Sequence, residues 1–84
     1  GKNHEEHLKS ALEVIEKIGE WKLEALNEKL MVEVKSKAYK TGDFFMDLRI
    51  AITGKKFTPP INDSMIILGK AETIERIKRV LFNH

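Results

Sequence analysis

Two adjacent prolines, Pro59 and Pro60, constrain this chain more than any other feature. Each ring holds φ at about −65° and removes a backbone donor. Pro60 also pushes Pro59 toward extended geometry. The segment they stiffen, Lys55–Asn62, is polar and basic and lies between two apolar runs, Phe44–Ile52 and Met65–Leu68. A stiff loop between apolar anchors is expected to carry carbonyls that no helix or sheet ladder consumes, and so to present fixed groups to a partner.

The length of 84 residues makes one small domain. A 42% hydrophobic and 33% charged chain suits a globular fold rather than a disordered one. There is no cysteine, which excludes disulfides and thiolate metal sites and fits a cytoplasmic origin. No apolar stretch has the length of a membrane span, and no signal peptide is visible. The first residue is Gly1, so a piece of a longer protein or a processed chain is expected. Net charge is only +2, but its placement is uneven. Residues 1–42 carry eight Lys and eight Glu, whereas residues 43–84 carry seven Lys or Arg against five Asp or Glu. Lys55, Lys56, Lys70, Lys78 and Arg79 can form a positive face toward phosphate. A solvated surface accounts for the same charges without a partner.

Taken in order, the chain reads as helices punctuated by glycine. Asn3 as N-cap with Glu6 three residues on predicts a helix over Asn3–Ile18, buried through Leu8, Ala11, Leu12, Ile15 and Ile18 and stopped by Gly19. His4 and His7 lie one turn apart, but two ligands make a poor metal site, and both are read as surface residues. Trp21 is expected to staple the start of a second helix, with base stacking as the sharper alternative. Leu23, Leu26, Leu30, Val34 and Ala38 give that helix its stripe, which is read as running to Gly42. The short Gly19–Lys22 link makes the two a hairpin spanning residues 1–42.

Asp43 is a candidate cap for a third element. Phe44, Leu48, Ala51 and Ile52 suit a helix, while Leu48, Ile50 and Ile52 alternate as in a strand, and the pattern leaves both open. Gly54 ends this element. Asn62, Asp63 or Ser64 can cap a short helix that stops at Gly69. A final helix follows, buried through Ile74, Ile77 and Leu81, with Val80 and Phe82 at its margins. Its early Glu72 and Glu75 and late Arg76, Lys78 and Arg79 match the helix dipole. No nucleophile–base pairing, metal-ligand cluster or phosphate-cradling glycine loop is present in the sequence, and Ser64 beside Asp63 reads as a helix cap.

These segments, in this order, resemble the C-terminal anticodon-binding domain of bacterial-type glutamyl-tRNA synthetases. The resemblance runs through Leu48-Arg49-Ile50-Ala51-Ile52-Thr53-Gly54, Thr58-Pro59-Pro60, Ile67-Leu68-Gly69, and Glu72 through Arg76-Ile77. It implies an all-α fold, a small bundle of about five helices of the class I synthetase anticodon-binding type, with residues 43–84 forming the part that meets the anticodon loop, and it resolves the third element as a helix. It implies tRNA as partner, read at unstacked bases by Phe57, Thr58, Pro59, Pro60 and Ile61. Lys55, Lys56 and Lys70 would contact phosphate, and Arg49 would brace the loop. Duller roles stand beside these: Phe57 as a core plug and Ile61 as an apolar anchor after the turn. The ATP motifs of class I synthetases are absent, so the fragment would bind while the ATP- and Mg²⁺-dependent ligation belongs to the rest of a monomeric, cytoplasmic parent. Two other readings remain: a helical protein–protein interaction module using the charged faces of the first two helices, and an independent small enzyme.

Overall fold

The computed structural model describes residues 3–56 and 59–82. Five helices occur in the order α1 (His4–Lys17), α2 (Leu23–Ser36), α3 (Thr41–Thr53), α4 (Ile61–Leu68) and α5 (Lys70–Phe82). Among the described residues there is no strand. The third element is therefore a helix, and its Phe44, Leu48 and Ile52 are buried at the four-residue spacing that a helix requires.

Helix α1 sits at the centre and packs against α2, α3 and α5. Leu8, Ala11, Leu12, Ile15 and Ile18 are buried, as their spacing predicts. His7 departs from the expectation of a surface residue: it is 4% exposed, and its Nδ1 lies 2.7 Å from Asp47 Oδ2 of α3. Asn3 does precede α1, and its carbonyl accepts the His7 N–H at 2.9 Å, but its side chain forms no cap bond.

The second helix ends at Ser36, short of the expected stop at Gly42. The Tyr39 N–H donates to the Val34 carbonyl and the Ala38 N–H to the Lys35 carbonyl. That pair of bonds is a Schellman closure, with Ala38 in the left-handed position that glycine usually takes (φ 55°). Tertiary contacts select this end. The Tyr39 ring lies 4.6 Å from His7 and stacks near Phe44, and its hydroxyl is 2.8 Å from Ser10 Oγ. Gly42 and Asp43 fall in the first turn of α3, so Asp43 faces the helix dipole without serving as the cap.

Gly54 ends α3 as expected, with φ 75° and its N–H on the Ile50 carbonyl at 2.8 Å. Pro60 precedes α4, so Asn62, Asp63 and Ser64 lie inside the first turn and none is the cap. Gly69 (φ 90°) is the single residue between α4 and α5. Trp21 is half-buried against the core and its indole N–H donates to the Met65 carbonyl at 3.1 Å, tying the start of α2 to α4. In α5, Ile77 and Leu81 are buried with Thr73, whose hydroxyl donates to the Gly69 carbonyl at 2.8 Å; Phe82 is exposed.

Two cations of α5 close other helices. Lys70 Nζ donates to the Ile18 and Glu16 carbonyls at 2.6 and 3.2 Å, at the C-terminus of α1. Arg76 Nη1 donates to the Ile52 carbonyl at 2.9 Å, at the C-terminus of α3. Helix C-termini leave carbonyls without intrahelical donors and carry partial negative charge, so both cations are placed where they stabilise.

Candidate nucleic-acid interface

The chain leaves α3 through a turn built from polar backbone contacts. Left-handed Gly54 reverses direction, and a Cβ added there would meet nothing within 4 Å, so its requirement is conformational. Thr53 Oγ1 donates to the Arg49 carbonyl at 2.8 Å and accepts the Lys55 N–H at 3.0 Å. Arg76 holds the preceding carbonyl, and Glu72 Oε2 in turn accepts from Arg76 Nε at 2.7 Å. The Glu72–Arg76 spacing thereby lets the carboxylate aim the guanidinium at the end of α3, one turn from the basic loop. That bond and the guanidinium charge hold the Glu72 carboxyl below its ordinary value.

Beyond this turn Lys55 and Lys56 are exposed, and so are Pro59 and Pro60. Phe57 and Thr58, two of the residues expected to meet a base, lie outside the described residues. The expected run of unspent carbonyls does not extend through Pro60, because its oxygen accepts the Ser64 N–H at 3.2 Å and so belongs to the first turn of α4. Ile61 is 3% exposed and anchors α4 in the core. Lys70 is occupied at the end of α1.

A groove of about 390 Å³ opens beside Pro60. Leu23 and Met31 of α2, Phe45 of α3 and the edge of Ile61 give it an apolar floor; Pro60, Arg49, Asn27, Asn62 and Asp63 form the rest of its lining. Arg49, expected to brace the loop, shares this wall with Pro60. Sequence alone does not single out Asn27 and Asn62 as a pair, yet their amides meet across the groove with Asn62 Nδ2 donating to Asn27 Oδ1. Asn27 lies on the polar face of α2, where nothing in the local pattern separates it from solvated neighbours. Arg76 reads in the sequence as a helix-dipole charge and as part of the Glu72–Ile77 segment of the resemblance, and the Glu72-to-Arg76 spacing signals the pairing that aims it.

Other polar clusters serve packing. Ser10 Oγ receives a bond from Lys37 Nζ at 3.3 Å, but Glu33 beside that ammonium raises its pKa above the ordinary value. Ser10 therefore faces a protonated lysine, which cannot act as a base. Among the described residues no three His, Cys, Asp or Glu converge as metal ligands, and no helix is long and apolar enough to cross a membrane.

The sequence profile of the family described as "Anticodon binding domain" matches residues 1–81. The chain belongs to the anticodon-binding domain family. Similar proteins include the glutamate–tRNA ligase of Clostridium tetani, 39% identical over 77 residues that cover 90% of this chain and 16% of the ligase. The glutamate–tRNA ligase of a Nocardioides species is 32% identical over 75 residues, 88% of this chain and 15% of its own length. Glutamate–tRNA ligase 2 of Brucella ovis is 33% identical over 70 residues, 83% and 15% of the two chains. This anticodon-binding domain thus spans about one-sixth of the length of the ligases it matches.

Proposed function

We propose that this domain binds the anticodon loop of tRNA as the recognition part of a glutamate–tRNA ligase, with the glutamate tRNA as partner. The family match across residues 1–81 carries the reading. Lys55 and Lys56, both exposed after the turn at Gly54, supply attraction to the phosphate backbone, which positions RNA without specifying it. Pro59 and Pro60 supply a pre-shaped edge for unstacked bases, so less ordering cost falls on binding, and Phe57 and Thr58 are the further residues expected to meet a base. Arg49 and Ile61 hold that edge in register, and Lys70 adds to the local positive potential while closing α1. ATP and Mg²⁺ would be handled elsewhere in a parent enzyme working as a cytoplasmic monomer.

The test is filter binding of tRNA to the 84-residue chain across salt concentrations. Affinity is expected to fall steeply as salt rises. Lys55→Glu together with Lys56→Glu is expected to weaken binding at low salt by about tenfold or more and to flatten the salt dependence, with helicity unchanged. Indifference to tRNA would instead favour a protein-interaction module.

A further inference from the structure

The groove holds a polar group that the fold does not complete. Asn62 Oδ1 is shielded from solvent and has no hydrogen-bond partner among the described residues. A buried acceptor without a partner costs about 1–3 kcal/mol, and native structures keep such groups rarely and for a reason. The same side chain donates through Nδ2 to Asn27 Oδ1, so the two amides brace each other from α2 and α4. Asp63 adds a carboxylate to the same groove. The buried atom that α4 leaves without a partner is thus an acceptor, with the Asp63 carboxylate and the apolar Phe45 in the same lining.

Resting on the reading of this chain as an anticodon-loop binder, we propose that Asn62, positioned by Asn27, reads an amino-bearing base, cytosine or adenine, seated in the groove. The exocyclic amino group of either base donates hydrogen bonds. Uracil presents a carbonyl oxygen at the same place, which would face the Asn62 oxygen and the Asp63 carboxylate. Acidic and amide oxygens pair with base amino groups in this way elsewhere in nucleic-acid recognition. The asparagine χ2 torsion is broad, so a small rotation turns Oδ1 from its shielded position toward an incoming donor. The ring would lie on the apolar floor, the general means by which proteins hold single-stranded bases.

The experiment measures binding of labelled anticodon stem–loop RNAs that carry cytidine or uridine at each loop position in turn. The unaltered chain is expected to prefer cytidine at one position by about tenfold, the size of one good base-edge contact. Asn62→Leu, similar in size but without the amide, is expected to bring that preference within about twofold while leaving the salt dependence unchanged. Asn62→Asp keeps an acceptor and should retain the preference with weaker overall affinity. If Asn62→Leu lacks the helicity of the parent, Asn62→Ala gives the same reading. An undiminished preference in a folded Asn62 variant overturns the inference while leaving anticodon-loop binding intact. No salt-sensitive RNA binding by the unaltered chain overturns the functional reading and this inference with it.

Discussion

The corner leading into α3 and the corner leading out of it each turn on one residue of positive φ, Ala38 at 55° and Gly54 at 75°. At Ala38 the side chain that follows the turn, Tyr39, points inward, although its neighbours are exposed. Tyr39 packs over His7 and Phe44, its hydroxyl meets Ser10, and His7 reaches Asp47 of α3. Around Gly54 the inward contacts stop at the backbone: Thr53 and Arg76 satisfy the last carbonyls of α3, and the lysines and prolines that follow stay exposed. The same backbone geometry therefore serves stability at one end of a helix and presentation at the other. The difference lies in which side chains follow the turn.

Changes at each corner should break or sharpen that contrast. The largest effect is expected for Asp47→Ala, which strands the buried His7 ring: a loss of about 3 kcal/mol in urea unfolding, with RNA affinity of the folded molecules unaltered. A loss below about 1 kcal/mol would mean that the inward corner is not held through this pair. Next is Arg76→Ala, expected to cost about 1–2 kcal/mol by uncapping α3 and also to weaken RNA binding, because it loosens the base of the outward corner. Its stability effect should depend on acidity. The folded Glu72 carboxyl titrates below its ordinary 4.5, so the pair contributes fully above that pH and is lost as the pH falls through the lowered value. The gap between parent and variant should narrow in acid without vanishing, because the Arg76 bond to the Ile52 carbonyl remains, as read by thermal unfolding at stepped pH.

Smaller effects separate the two left-handed residues. Ala38→Gly is expected to stabilise by about 0.5–1 kcal/mol, since the steric cost of an L-residue at positive φ is removed and only part of it returns as chain entropy. Gly54→Ala is expected to destabilise by about 1 kcal/mol, because no neighbour crowds the site and the cost is conformational alone. Equal and same-signed shifts for the two would contradict the comparison. Smallest in stability is Pro60→Gly, at less than about 1 kcal/mol by chain entropy, yet it should reduce discrimination among anticodon variants more than it reduces melting temperature.

The helices were legible where apolar spacing and glycine agreed. Leu8 through Ile18, and the stops at Gly54 and Gly69, are local signals that tertiary structure did not override. The end of α2 was not legible, since Leu30, Val34 and Ala38 continue a four-residue repeat and only the packing of Tyr39 reveals the break. His7 looks like a solvated residue in the sequence because its partner Asp47 lies 40 residues away and no local pattern pairs them. For the interface, the prolines and Lys55–Lys56 announced a basic, stiff edge, but Asn27 and Asn62 become neighbours only when α2 and α4 pack.

Lys70 and Arg76 carry a consequence for how the domain forms. Within this domain α1 is central to the bundle, and α5 carries the charges that close both α1 and α3. A nascent chain halted on the ribosome after Leu68 would hold four helical segments with two frayed ends and an uncovered oily stripe along α1. Completion of this domain during synthesis is therefore a late, all-at-once event, and protease resistance should arrive only once α5 has cleared the exit tunnel.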